Sequence, residues 1–143
     1  MLYICTLKGS SNMNLNQVTL PVSDIKKASR FYRQLGFTQI VDSEKYARFE
    51  CPDGGSSFSL SRSNEAFNNT AIVYFESKRL NRWIDELIDR GIDIHQMPTN
   101  QSYLWREAIL FDPSGNKIKL YHAAENRLNP PWRVHKTWQN TDC

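Results

Sequence analysis

Hydrophobic residues recur at helical spacing in two parts of the chain. The first part follows Ser23 and Asp24, a pair typical of a helix N-cap, and stops at Gly36. The second follows Ser77 and stops at Gly91. Each forms one apolar stripe, which predicts an amphipathic helix with one face in the core. The stripes are Ile25, Ala28, Phe31, Tyr32 and Leu35 in the first helix and Leu80, Trp83, Ile84, Leu87 and Ile88 in the second.

Alternating apolar and polar positions predict strands around both helices. Residues 17–22 precede the first helix, with Val18, Leu20 and Val22 on one face. Further strands are predicted at 37–41, 46–50 and 57–61 after the first helix, and at 92–96, 105–111 and 117–122 after the second. Two turns, at 52–55 and 112–116, contain Pro, Asp and Gly and indicate hairpins.

The order strand, helix, three strands therefore occurs twice, as an internal repeat. We expect an α+β fold of two βαβββ modules, at about 14–62 and 69–123, with a mixed sheet, a central cleft and helices on the outer faces. We expect residues 1–13 to form an N-terminal extension. Residues 124–143 form a tail that packs on the domain or on a dimer partner, because exposed aromatic residues such as Trp132 and Trp138 seldom stay solvated together.

Composition narrows the classes of function. The net charge of +3 is spread along 143 residues without a basic stripe, so we expect no nucleic-acid partner. No apolar run approaches the roughly 20 residues of a membrane span, and no cleavage pattern follows the short apolar start. We therefore expect a cytoplasmic protein that does not bind membranes. Three scattered cysteines argue against a disulfide framework or a thiolate zinc site, and Cys51 is expected to act as a small buried hydrophobe.

Three segments resemble the vicinal-oxygen-chelate (VOC) superfamily, the glyoxalase/bleomycin-resistance/dioxygenase family. Residues 15–24 resemble its opening strand and helix cap, residues 29–37 its FY…LGF signature, and residues 112–120 its closing hairpin. The resemblance extends over roughly 14–123. It implies paired βαβββ modules with a ligand cleft between them. In metal-using members, it further implies a divalent ion held by His, Glu or Gln on the inner faces of four strands.

The same resemblance indicates that the usual metal ligands are missing here. Gln17 occupies the first ligand position, and Lys119 occupies the last, where the family has Glu. An ammonium has no lone pair for a metal and repels a cation, so we expect no metal cofactor. The two other positions fall at Phe58 or Ser59 and at Thr70 or Ala71.

A shifted ligand set of Gln17, Glu107 and His122 is the alternative, with a divalent metal ion as cofactor. Glu107 has a simpler role as the salt-bridge partner of Arg106. His122 is one residue from Tyr121 and so faces away from Lys119. The sequence thus favours a site without metal over this set.

Six residues are candidates for ligand binding if the family geometry holds. They are Gln17, Thr19, Arg48, Trp105, Lys119 and Tyr121. Cations beside aromatic rings suit an anionic or aromatic small molecule. We expect a metal-independent, sequestration or resistance-like binding protein that forms a homodimer. The alternatives are a metal-dependent glyoxalase-like lyase or isomerase, an extradiol-type dioxygenase, and a metal-free enzyme with Lys119 as base, which requires a depressed lysine pKa.

Overall fold

The computed structural model describes residues 13–138 and contains the predicted repeat. The first module comprises β1 (Gln17–Val22), α1 (Ile25–Leu35), β2 (Thr38–Asp42), β3 (Tyr46–Glu50) and β4 (Ser57–Arg62). The second comprises β5 (Val73–Glu76), α2 (Leu80–Asp89), β6 (Gln96–Asn100), β7 (Arg106–Phe111) and β8 (Lys117–His122), and a 3-10 turn follows at Ala124–Asn126. The α+β prediction of two βαβββ modules is confirmed. Most of the predicted N-terminal extension, with Cys5, and the end of the tail, with Cys143, lie outside the described residues.

The eight strands form two separate four-stranded sheets with the same topology. The strand order is β1-β4-β3-β2 in the first sheet and β5-β8-β7-β6 in the second. In each sheet the first strand of the module runs parallel to the last, and the other neighbours are antiparallel. Each sheet packs one face against its own helix. We call the opposite face of each sheet its open face.

Local signals in the sequence set the ends of both helices. The Asp24 side chain accepts a hydrogen bond from the Lys27 N–H at the start of α1, and Gly36 ends this helix at φ 114°. Gly91, at φ 85°, follows α2. The predicted stripes are buried, except that Trp83 is half-buried and Ile88 is 46% exposed. Ile88 therefore does not belong to the core.

The buried faces of the two modules form one core. The rings of Phe37 and Phe75, from different modules, have centroids 4.4 Å apart, and those of Phe58 and Phe75 are 5.3 Å apart. Polar contacts join the modules at the edge of this core: the Tyr32 hydroxyl donates to Asp112 at 2.7 Å, and the Trp83 indole N–H donates to the Leu35 carbonyl at 2.9 Å. The modules are thus packed as one body.

The prediction of a strand at 92–96 was wrong. Ile92 is buried directly after α2, and pairing with β7 starts only at Gln96. β6 continues through Pro98 with a register shift between Gln96 and Thr99. Because β6 is an edge strand, the missing proline N–H removes no bond to a further strand. Because proline is disfavoured inside most strands, the sequence pattern around Pro98 does not predict β6.

The tail leaves the body after one anchored turn. The Glu76 carboxylate accepts hydrogen bonds from the Ala123 and Ala124 N–H groups, and the Trp105 indole donates to the Asn126 carbonyl. Beyond this turn Trp132 and Trp138 are exposed. The rings are not buried against the body of this single chain, and packing on a dimer partner stays a prediction.

Candidate functional site

A groove of about 970 Å³ lies between the two modules. Its walls include the start of β1, the turn after β3, all of β5 and one side of α2. The apolar residues along it include Leu15, Val18, Leu35, Phe37, Phe58, Ile72, Val73, Phe75 and Trp83. Gln17 and Ser57 of the first sheet and Tyr74 and Tyr121 of the second also line it. Volume and lining are those of a small-molecule site, in which apolar surface is combined with a few polar groups.

A chain of polar side chains crosses the open face of the first sheet. The Gln17 amide donates to the Ser59 hydroxyl at 2.5 Å and accepts from the Ser57 hydroxyl. The Ser59 oxygen lies 2.5 Å from the Tyr46 hydroxyl. That hydroxyl in turn accepts two hydrogen bonds from the Arg48 guanidinium, at 3.0 and 2.9 Å.

The partners of Tyr46 shift its acidity. The hydrogen bond with Ser59 has the largest effect and lowers the pKa of the Tyr46 phenol. Burial opposes this shift, and the hydrogen bond and positive charge of Arg48 lower the pKa further. Because Arg48 supplies donors to the phenol oxygen, the guanidinium is engaged with its own sheet.

The open face of the second sheet carries a buried ion pair under aromatic rings. Lys119 Nζ lies 2.9 Å from Glu107 Oε2, and the Tyr103 hydroxyl donates to Glu107 Oε1. Trp105 stacks on Tyr121 with centroids 4.7 Å apart. The prediction that Arg106 is the salt-bridge partner of Glu107 was wrong. Arg106 lies on the opposite face of β7 and donates hydrogen bonds to Asn81 and Asn100.

The ion pair keeps Lys119 protonated. Burial alone lowers the pKa of the ammonium, but the hydrogen bond and charge of Glu107, with a contribution from Tyr74, raise it above its usual value. A lysine base needs the opposite shift. The metal-free enzyme with Lys119 as general base therefore receives no support from this geometry.

Two of the six predicted ligand-binding residues, Gln17 and Tyr121, line the groove. The others are absent from its lining: Thr19 is exposed on β1, Arg48 belongs to the polar chain, and Lys119 and Trp105 belong to the ion-pair cluster. Cys51 also lines the groove and is half-buried, and burial raises the pKa of its thiol.

Sequence reasoning missed the groove residues contributed by α2. Trp83 was assigned to the core stripe, and Arg79, Arg82 and Arg90 were not considered as ligand contacts. No local signal marks them. Their side of the helix lines a site only because the two modules pack as they do.

Comparison with known proteins identifies the family. The model of the Glyoxalase/Bleomycin resistance protein/Dioxygenase superfamily matches residues 14–120. The chain belongs to this superfamily. No curated protein matches the sequence significantly. Many solved structures match the chain, and the three described below share 18–20% sequence identity with it.

The structural neighbours share the fold. A glyoxalase/bleomycin resistance protein/dioxygenase from Nocardioides superposes with a TM-score of 0.69 at 20% identity, covering 87% of this chain and 91% of its own. A glyoxalase/bleomycin resistance protein/dioxygenase family enzyme from Burkholderia phytofirmans PsJN gives 0.64 at 20%, covering 78% and 99%. A bleomycin-binding protein complexed with bleomycin gives 0.66 at 18%, covering 77% and 98%.

The residues at the superfamily's metal-ligand positions do not fit a divalent ion. Gln17 offers one amide oxygen, already bonded to Ser57, and the first module's closing strand places Ser59 on the open face and Phe58 in the core. Thr70 and Ala71 precede β5, and Tyr74 is the residue paired with Lys119. An amide already bonded to Ser57, a serine hydroxyl, a threonine or alanine, and an ammonium do not form a site for such an ion.

The shifted set does not converge on one point either. Glu107 is held by Lys119 on the open face of β7. His122 pairs with Arg106 across the β7–β8 ladder, which puts it on the opposite face from Glu107. Within residues 13–138 no group of three or more His, Cys, Asp or Glu is placed to hold a metal ion.

None of the helices in this range is long and apolar enough to cross a membrane.

Proposed function

We propose that this protein binds a small molecule in the groove between its two modules, without a metal ion, in a sequestration or resistance-like role. The observation that carries the proposal is the Lys119–Glu107 pair at the position where metal-using relatives have a carboxylate ligand. Because the ammonium occupies Glu107, a nearby cation would meet a positive charge rather than a free ligand.

The groove supports the same proposal. Its volume of about 970 Å³ falls within the range of small-molecule sites. Its lining combines aromatic rings with arginine, amide and hydroxyl groups. One structural neighbour is a bleomycin-binding protein complexed with bleomycin, so a protein of this fold can bind a small molecule. The ligand we propose is anionic or aromatic, as expected from the cations and rings.

Metal content tests the metal-free part of the proposal. The untagged protein is incubated with a panel of divalent ions, desalted and measured by elemental mass spectrometry, beside a Gln17→Ala variant. We expect no stoichiometric metal in either protein. A stoichiometric metal that is lost in Gln17→Ala would overturn the proposal and favour a metal-dependent lyase, isomerase or dioxygenase.

We further propose that the protein works as a homodimer in the cytoplasm. The exposed Trp132 and Trp138 of the tail supply apolar surface that a second copy would cover. Light scattering coupled to size-exclusion chromatography tests the stoichiometry. A monomer at high micromolar concentration would contradict the dimer and leave the groove proposal intact.

A further inference from the structure

The walls of the groove carry more positive than negative side chains. The lining arginines are Arg79, Arg82, Arg90 and Arg127, and the lining acids are Asp53, Glu76 and Glu86. Arg82 lies 3.4 Å from Glu86, and Arg127 lies 3.7 Å from Glu76. Two of the four lining arginines are therefore paired with a carboxylate of the groove. Arg90 donates to the Gln34 carbonyl at 2.7 Å.

Arg79 is the lining arginine whose guanidinium has neither ion pair nor hydrogen bond within residues 13–138. Its hydrogen bonds involve the backbone alone: the N–H donates to the Ser77 hydroxyl at 3.1 Å, and the carbonyl accepts from the Trp83 N–H at 2.9 Å. The side chain is exposed at the start of α2. An anion reaching Arg79 would therefore displace no internal partner, and guanidinium binds carboxylate, sulfonate and phosphate groups through paired donors.

The cations that the sequence favoured are placed differently. Arg48 is bonded to Tyr46, and Lys119 is paired with Glu107. Neither lines the groove. An anion in the groove would thus find its counter-charge on α2 rather than on the open faces of the sheets.

An apolar surface lies next to Arg79. Trp83 is one helical turn further along α2, where its backbone N–H bonds to the Arg79 carbonyl, and its ring also lines the groove. Phe37 and Phe75 continue the apolar wall from Trp83. A ring or short alkyl chain lying on this wall would bring an attached acid group to the guanidinium.

We propose that the groove selects molecules with an apolar or aromatic body and one anionic head group, and that Arg79 binds the head group. This inference rests on the proposed function and narrows it to amphipathic organic acids. It assigns the specificity for charge to a residue outside both open faces.

Two dyes with the same aromatic body test the inference. N-phenyl-1-naphthylamine is neutral, and 1-anilinonaphthalene-8-sulfonate adds one sulfonate. Their dissociation constants are measured by fluorescence titration on the full chain. We expect the sulfonate dye to bind more tightly, and Arg79→Ala to weaken it about fivefold, the effect of an ion pair that contributes about 1 kcal/mol. The neutral dye should bind Arg79→Ala as well as it binds the unaltered protein.

Three further variants separate charge from structure. Arg79→Lys keeps the charge and should retain most of the sulfonate affinity. Arg30→Ala removes an exposed arginine of α1 that does not line the groove, and should change neither dye. Asp53→Asn removes a groove acid that has no ion pair among the described residues, and should tighten binding of the sulfonate dye because it removes a negative charge from the groove.

Each failure has a distinct meaning. If both dyes bind equally and Arg79→Ala changes neither, the role of Arg79 is overturned while groove binding stands. Weaker sulfonate binding in Asp53→Asn would contradict selection of the ligand by the positive charge of the groove. If neither dye binds, and neither octanoate nor salicylate raises the melting temperature in a thermal-shift assay, groove binding itself is contradicted, and the proposed function fails with it.

Discussion

The Lys119 ammonium and the Glu107 carboxylate lie 2.9 Å apart, with only 15% and 2% of their side chains exposed. Each charge is compensated by the other at a depth where neither is well hydrated. This relationship explains why a lysine is tolerated on a sheet face that also carries stacked aromatic rings.

The pair predicts strong coupling between the two substitutions. Glu107→Leu or Lys119→Met alone leaves one buried charge without its partner, and each should lower the free energy of unfolding by about 3–5 kcal/mol. The double variant Lys119→Met/Glu107→Leu should cost less than either single change. Urea unfolding of the four proteins measures this cycle, and additive losses would show that the two groups do not stabilise each other.

Alkaline pH should destabilise the protein through the same lysine. The pKa of Lys119 is raised in the folded state, so its contribution is complete below the unfolded-state value of about 10.4 and is lost as the pH rises through the folded value. Lys119→Met should therefore flatten the decline of unfolding free energy above about pH 10.

Tyr32 also contributes to the loss of unfolding free energy at alkaline pH and serves as the control for Lys119. Burial, with the charge and hydrogen bond of Asp112, also raises the pKa of Tyr32 in the folded state. The unfolded chain ionises this phenol near pH 10 while the folded chain keeps it neutral, which again lowers stability at high pH. Tyr32→Phe should remove this part alone. An unchanged slope in Lys119→Met would contradict the assignment to the lysine.

Tyr46 should ionise before Tyr32 and Tyr121. Its pKa is lowered by Ser59 and Arg48, whereas those of Tyr32 and Tyr121 are raised. Absorbance at about 295 nm, followed from neutral to alkaline pH, should show an early phenolate step that is absent in Tyr46→Phe. Arg48→Gln should move this step to higher pH. An early step that persists in Tyr46→Phe would assign the shift to another residue.

Trp83 should report on the groove by fluorescence. Its half-buried indole lines the groove, whereas Trp132 is exposed on the tail and does not. Adding N-phenyl-1-naphthylamine should quench the emission of the unaltered protein and of Trp132→Phe. Trp83→Phe should lose most of this quenching. Equal quenching in both variants would place the bound dye away from α2.

The sequence was sufficient for the parts of the fold that local patterns encode. Both helices end at the predicted glycines, and seven of the strands follow from alternation or from the repeat. β6 was misplaced because Pro98 lies within it, a residue that argues against a strand unless the strand is known to be at an edge. Edge position is a property of the assembled sheet.

The candidate site was less accessible for a related reason. Alternation correctly puts Lys119 and Tyr121 on one face of β8, but it does not say which side chain on β7 faces them. The register between β7 and β8 places Glu107 on the same face as Lys119, so these two residues form the ion pair and Arg106 does not take part in it. The contribution of Arg79 depends on contacts between residues far apart in the chain, and these leave no periodic signal.

The contact between Phe37 and Phe75 has a consequence for the repeat itself. Each module supplies one wall of an aromatic seam that the other module closes. A half-length polypeptide containing a single module would leave its phenylalanines facing water, and the nearest suitable cover would be an identical half-length chain. Two such half-length chains would associate only at a sufficient concentration, whereas the peptide link between the modules makes their association independent of concentration.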